Sequence, residues 1–165
     1  MSVQTISQAE MRSALGRFAS GVTVITGTDD DGPVGFACQS FASVSLDPPL
    51  VLFCADHGGR SWPRIRRSGR FTVNVLAEDQ DDLCHRFGRR GGLKFDGLDY
   101  SMSRWGTPSL DDVLVRVHAE VETVHVAGDH DVVIGRVVEL EQLRDTRPMV
   151  FFSGRFGIDL PVPVP

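Results

Sequence analysis

Apolar residues alternate with polar ones along much of the chain, a pattern typical of strands with one buried face. The longest alternation covers residues 113–122, and a Gly-Asp turn at residues 128–129 separates it from a second apolar stretch at residues 132–138. Two strands joined by a tight turn form an antiparallel hairpin. The β-branched residues 22–26, followed by an Asp-rich turn at residues 29–33, predict another hairpin.

The central part of the chain predicts further strands. We expect the second strand of the early hairpin to cover residues 34–45 and to stop at residues 47–49, where two prolines lack amide hydrogens for pairing. Residues 50–54 are all apolar or cysteine, which indicates a strand covered on both faces. Two more strands are predicted at residues 71–75 and 148–152.

Short helices are predicted beside these strands. A capping-box pattern at residues 7–10 begins a helix that we expect to end near Gly21. A second helix should begin at Ser61, its expected cap, and end at residues 68–69. A third should begin in the acidic stretch at residues 78–82 and end near Gly88. Strands outnumber helices by roughly two to one, and most connections are too short for parallel crossovers. The pattern therefore predicts a mainly β protein, an antiparallel barrel with a few peripheral helices.

Composition narrows the class of protein. The 165 residues correspond to a single domain over residues 1–165, with residues 160–165 as an extended tail. A net charge of −5 argues against nucleic acid as the main partner, because phosphate binding needs a basic surface. No apolar run approaches the roughly 18 residues of a membrane helix, and the start lacks the apolar stretch of a signal peptide. We therefore expect no membrane association. Three cysteines without a CxxC motif indicate reduced thiols, which predicts a cytoplasmic location.

Four segments carry candidate chemistry. They are a hydroxyl-rich stretch at residues 40–45, a Gly-Gly-Arg-Ser helix start at residues 58–61, a basic and aromatic loop at residues 89–95, and Gly-Asp-His at residues 128–130. A helix start binds phosphate readily, and two basic spots on an acidic protein suit a small phosphorylated ligand. Each segment also has a purely structural interpretation as a solvated strand face, a turn or a charged loop. Neither a hydrolase nor a zinc-site pattern occurs, so we expect no metal.

The order of these motifs resembles the short-chain flavin reductases, the reductase components of two-component flavin-dependent monooxygenases. The resemblance covers residues 11–156 and is carried most strongly by the block from Ser40 to Val51, with Lys94-Phe95 and residues 128–130 following in order. Residues 35–40 look closest to reductases that serve steroid-ring hydroxylases of actinobacteria. Many relatives have Thr-Ala-Asn where this chain has Ala-Cys-Gln, which leaves the choice between FMN and FAD open.

The resemblance implies an FMN-binding split β-barrel of antiparallel, Greek-key-like strands, assembled as a homodimer with flavin near the interface. It implies that His130 faces the nicotinamide and is the catalytic residue. The residues that the resemblance implies for cofactor binding are Ala37, Cys38, Gln39, Ser40, Ser43, Val44, Ser45, Arg60, Ser61, Lys94, Phe95 and Phe152.

The implied activity is hydride transfer from NADH to FMN or FAD, with the reduced flavin passed to a partner oxygenase. The bound rings carry this chemistry, which explains the absence of an obvious acid–base pair in the sequence. NADPH in place of NADH as the hydride donor remains an open alternative. Two alternatives are a non-catalytic flavin-binding redox protein and a flavin-dependent reductase of another acceptor such as ferric iron.

Overall fold

The computed structural model describes residues 6–156. Helices are few and short in this part of the chain, and strands dominate. The helices are α1 (Gln8–Leu15), α2 (Ser61–Ser68) and α3 (Asp81–Gly88). The strands are β1 (Ser20–Gly21), β2 (Thr23–Asp29), β3 (Gly32–Cys38), β4 (Ala42–Leu46), β5 (Pro49–Asp56), β6 (Arg70–Val75), β7 (Tyr100–Met102), β8 (Pro108–Leu110), β9 (Val115–Ala127), β10 (His130–Gln142), β11 (Val150–Phe152) and β12 (Arg155–Phe156).

The main sheet has seven strands in the order β3-β2-β6-β9-β10-β5-β4, and every neighbouring pair is antiparallel. The sheet curls into a barrel, as shown by side chains from its two halves that meet in one core. The Phe36 and Phe53 rings, from β3 and β5, lie with centroids 6.0 Å apart, and Phe53 packs edge-on to Phe71 of β6 at 5.0 Å. The predicted antiparallel barrel is confirmed. Two small sheets, β1-β11-β12 and β7-β8, lie beside it.

Helix α2 closes one end of the barrel. Its Trp62 and Ile65 are buried in the core, and the Trp62 ring packs edge-on to Phe53 with centroids 5.6 Å apart. The helix ends as predicted, at Gly69 in the left-handed conformation that glycine favours. Helix α3 covers a second apolar cluster on the other side of β2, where Phe87 is fully buried.

The predicted strand over residues 34–45 is two strands, which corrects our expectation. β3 ends at Cys38, and β4 leaves the β2 hairpin to pair with β5 instead. At the corner, the Ser40 hydroxyl accepts a hydrogen bond from the Cys54 amide at 2.8 Å and lies 3.3 Å from the Cys54 carbonyl oxygen, to which it donates. This side chain replaces a strand partner, so the chain turns without losing backbone hydrogen bonds of β5.

Strand β5 is buried on one face only, so the expectation of cover on both faces is wrong. Val51, Phe53 and Ala55 point into the core, whereas Leu50 and Leu52 on the outer face are half-buried. These outer leucines continue onto β10, since Leu52 lies opposite Ile134 and Leu50 opposite Arg136.

Helix α1 has the predicted capping box between Ser7 and Glu10, but it ends at Leu15 rather than near Gly21. Gly16 closes the helix, and no residue of α1 is buried. The expected tail at residues 160–165 lies outside the described residues. Among the helices of residues 6–156, none is long and apolar enough to cross a bilayer.

Candidate functional site

Two adjoining cavities lie where β3, β5 and α3 converge. Their volumes are about 960 and 630 Å³. Five residues line both cavities, namely Phe36, Ala37, Asp56, Gly88 and Arg89. The two cavities therefore form one elongated cleft, large enough for a ligand with two chemically different ends.

The smaller cavity offers backbone groups and thiols. Ala37, Cys38, Gln39 and Ser40 line it where β3 ends. The Ser40 hydroxyl is already bonded to the backbone of Cys54 and lies 3.3 Å from the Cys38 Sγ. Burial raises the pKa of the Cys38 thiol, which keeps it uncharged at neutral pH. What this segment can offer to a flat polar ring is thus mainly its backbone.

His130 borders the smaller cavity from the first residue of β10. It lies opposite Asp56 of β5, and its side chain is 41% exposed. Its Nδ1 lies 2.7 Å from Asp129 Oδ1, and this hydrogen bond is the main reason that the pKa of Asp129 lies below the ordinary value. Among the described residues, Nε2 has no hydrogen-bond partner, so this nitrogen is available to a ligand.

The larger cavity has a cationic end at the start of α2. Arg60 is the N-cap, without a side-chain cap hydrogen bond, and Ser61 is the first helical residue. Our expectation that Ser61 caps the helix is wrong, because its hydroxyl donates to the Gly35 carbonyl oxygen at 2.9 Å. The first-turn amides therefore lack a side-chain cap, and such amides favour an anion.

Lys94 crosses this end of the cleft and is the only lysine in the sequence. Its Nζ donates to the carbonyl oxygens of Phe87 at 2.9 Å and Gly35 at 3.2 Å. An ammonium group has three hydrogens, so one remains for a ligand. Burial lowers the pKa of Lys94. A bound phosphate would favour the charged form and offset this effect.

Gly35 is at the centre of this arrangement. A Cβ at this position would lie 2.9 Å from the Phe87 ring and 2.9 Å from the Ile25 carbonyl oxygen, closer than side chains pack. The absent side chain lets α3 approach β3 and leaves the Gly35 carbonyl oxygen open to Ser61 and Lys94. The part of β3 that lines the larger cavity is therefore built on a required glycine.

In the described part of the chain, two of the arginines around the larger cavity, Arg64 and Arg90, form ion pairs with acidic residues, and two do not. Arg64 forms a two-pronged ion pair with Asp29, and Arg90 lies 3.6 Å from Asp56 at the cleft mouth. Arg60 and Arg89 have no acidic partner within residues 6–156. Together with Lys94, they give this end of an acidic protein a local positive charge.

The structure brings together nine of the predicted site residues and leaves four outside. Those lining the cleft are Ala37, Cys38, Gln39, Ser40, Arg60, Ser61, Lys94, Phe95 and His130. Ser43, Val44 and Ser45 lie on β4 away from both cavities, and Phe152 on β11 also lines neither. For all thirteen residues, the role implied by the resemblance stays a prediction.

Several lining residues lie outside the four candidate segments of the sequence. Phe36, Asp56, His85 and Phe156 line the cleft, and His85 packs edge-on to Phe156 with centroids 5.6 Å apart. Asp56 is the last residue of β5 and precedes His-Gly-Gly, a polar signal that could have marked it. Nothing local in the sequence distinguishes Phe36 or Phe156 from core residues.

Residues 15–158 match a protein family described as the flavin reductase like domain. The chain belongs to this family. It is 49% identical to the reductase subunit HsaB of a flavin-dependent monooxygenase from Rhodococcus jostii, over 100% of this chain and 86% of that protein. It is 42% identical to the FMN reductase (NADH) SmoA of Agrobacterium fabrum, over 88% and 83% of the two chains.

A solved structure shows the same fold with ligands. The NADH:FAD oxidoreductase SgcE6 of Streptomyces globisporus C-1027, in complex with NAD and FAD fragments, has a TM-score of 0.90 and 27% identity. The alignment covers 98% of this chain and 100% of that one. The predicted family and mainly β fold are thus confirmed.

Proposed function

We propose that this protein is a flavin reductase that oxidises NADH, reduces FMN or FAD, and supplies the reduced flavin to a partner monooxygenase. The observation that carries the proposal is the single cleft with a cationic end at α2 and Lys94 and a free imidazole nitrogen at His130. The functions named for SmoA and HsaB support the nicotinamide donor and the oxygenase partner respectively.

The residues present fit a flavin. The backbone of residues 37–40 would border the ring system, and the start of α2 with Lys94 would hold the phosphate. When bound, the flavin supplies the electronic change by accepting hydride from the nicotinamide. The chain itself must hold two flat rings in contact, exclude water and balance negative charge. Holding the rings in this geometry can lower the activation barrier by several kcal/mol.

His130 is the proposed catalytic residue on the nicotinamide side. Because Asp129 accepts at Nδ1, the hydrogen of the neutral imidazole lies on Nδ1 and Nε2 is an acceptor. An Nε2 acceptor at the rim of the smaller cavity suits the carboxamide N–H₂ of a nicotinamide. His130 would thus orient the donor ring without exchanging a proton in the reaction.

We also propose that the protein is a homodimer located in the cytoplasm. The outer face of β5 and β10 is apolar and half-buried, with Leu50, Leu52, Val132 and Ile134 side by side. A second copy placed against it would bury these side chains next to the cleft. Three free cysteines fit a reducing compartment.

Sedimentation equilibrium is expected to give twice the chain mass of 18.1 kDa, whereas a single-chain mass would contradict the dimer.

The activity can be tested by mixing the purified protein with NADH and either FMN or FAD under anaerobic conditions. The proposal predicts rapid NADH oxidation that saturates with added flavin and consumes equal amounts of the two substrates. A protein that binds flavin but leaves NADH unchanged would instead be a binding module. Fast NADH oxidation that requires ferric iron would indicate a different acceptor.

A further inference from the structure

A buried carboxylate lies one residue beyond His130, and the proposed reaction does not use it. Asp131 is 4% exposed and accepts three hydrogen bonds. The donors are the Trp62 indole at 2.8 Å, His57 Nε2 at 2.9 Å and the Arg66 guanidinium at 3.4 Å. The indole donor and His57 are the main causes of the lowered pKa of Asp131, so the carboxylate stays ionised.

These three donors come from two different segments. Trp62 and Arg66 lie one turn apart on α2, and His57 lies in the loop between β5 and α2. The loop is also fixed by its own backbone, because the His57 amide donates to the Asp129 carbonyl oxygen at 3.0 Å and the Gly58 amide donates to Asp56 Oδ1 at 2.7 Å. One carboxylate at the start of β10 thus joins the loop and the helix to the strand that carries His130.

Stability alone does not account for this arrangement. A carboxylate at a barrel end loses hydration, and replacing such a group with apolar residues is often neutral or stabilising. What the Asp131 carboxylate adds is a fixed position for the side chains that donate to it. Helix α2 has no side-chain cap, so its first turn is held by the Ser61 bond to Gly35 and by Trp62, which the carboxylate holds and which lines the larger cavity.

We infer that Asp131 is a positioning residue for the phosphate end of the cleft. It fixes the first turn of α2 at a set distance from His130, so that a phosphate held by the α2 amides and Lys94 places the attached ring beside the imidazole. The inference rests on the proposed function, since it requires a phosphorylated flavin. Asp131 contacts no ligand and acts through Trp62 and the loop at residues 56–60.

The test compares FMN with riboflavin, which has the same ring but no phosphate. Trp62→Phe removes the indole N–H without changing any charge. In this variant, the KM for FMN should rise roughly tenfold, about the effect of one hydrogen bond to a charged group, while the KM for riboflavin changes far less. Asp131→Asn should show the same selective rise at high salt, where any direct charge effect on the phosphate is screened.

Glu139→Gln is the matched control. Glu139 lies on the same strand and accepts from the Trp105 indole at 2.7 Å and from Arg104 at 3.0 Å, but it lines neither cavity. Its two KM values should equal those of the parent. Melting temperatures of all variants would show whether any change in KM follows a general loss of stability.

The outcomes separate the inference from the proposed function. If the parent protein has equal KM values for FMN and riboflavin, the phosphate site itself is wrong and the inference falls with it. If the parent prefers FMN and Trp62→Phe keeps the same preference, the proposed function stands and the positioning role is overturned. An equal rise in both KM values would mark a merely structural role and would also overturn it.

Discussion

Replacing His130 with alanine is expected to raise the KM for NADH roughly tenfold to a hundredfold, the effect of losing a hydrogen bond and a ring contact in a desolvated site. Flavin affinity should change far less, because the phosphate end lies at the opposite side of the cleft, at α2 and Lys94. Steady-state kinetics with varied NADH and a separate flavin titration measure the two effects independently.

A conservative variant sharpens this prediction. His130→Gln keeps a polar group that can accept a hydrogen bond near the position of Nε2, so it should recover part of the affinity for NADH. NADH kinetics that are the same in the alanine variant as in the parent would remove His130 from the site. Equal losses of affinity for NADH and for flavin would instead show that His130 only maintains the shape of the first residues of β10.

Lys94→Ala is expected to weaken FMN binding by roughly tenfold or more, because it removes both a cation near the phosphate and a link within the protein. The lost link is structural, since Nζ joins the carbonyl oxygens of Gly35 on β3 and Phe87 on α3. Fluorescence titrations at several salt concentrations should show that the parent loses FMN affinity with salt more steeply than the variant does.

Arg104→Ala is a suitable control for Lys94, since Arg104 is 70% exposed and lies outside the cleft. The sole lysine also offers a second measurement. Acylation of its amine, followed by mass spectrometry, should slow when FMN is present and remain unchanged with riboflavin. Identical FMN titrations for variant and parent would mean that Lys94 only ties the loop to α3.

The long hairpin of β9 and β10 is predictable because its signal is local. Alternating residues and a Gly-Asp turn specify it without reference to the rest of the chain. The corner after β3 has no such signal, since the Ser40 hydroxyl bonds to Cys54, fourteen residues away. Ser61 fails as a predicted cap for the same reason, because its hydroxyl bonds to the distant Gly35. Hydroxyl groups choose partners in space, which spacing along the sequence does not show.

Helix α1 shows a different limit of pattern reasoning. Met11, Leu15 and Phe18 have the spacing of one buried helix face, yet they are 47%, 61% and 78% exposed. Periodicity predicts which residues share a face, but not whether anything covers that face.

The cleft itself was partly predictable. Glycine and charge at residues 58–61 and 89–95 predict a small phosphorylated ligand, the resemblance implies that its phosphate end lies there, and both segments line the larger cavity. Asp131 could not be identified in this way, because its function depends on Trp62 and His57, which reach it only through the packing of α2 on the barrel.

A crystal structure of the protein with FMN tests the central claim most directly. The account predicts that the tricyclic ring lies in the smaller cavity beside residues 37–40 and His130, with the phosphate at the first turn of α2 within hydrogen-bond distance of Lys94. A ring bound outside both cavities, or a phosphate at the His130 end, would contradict it.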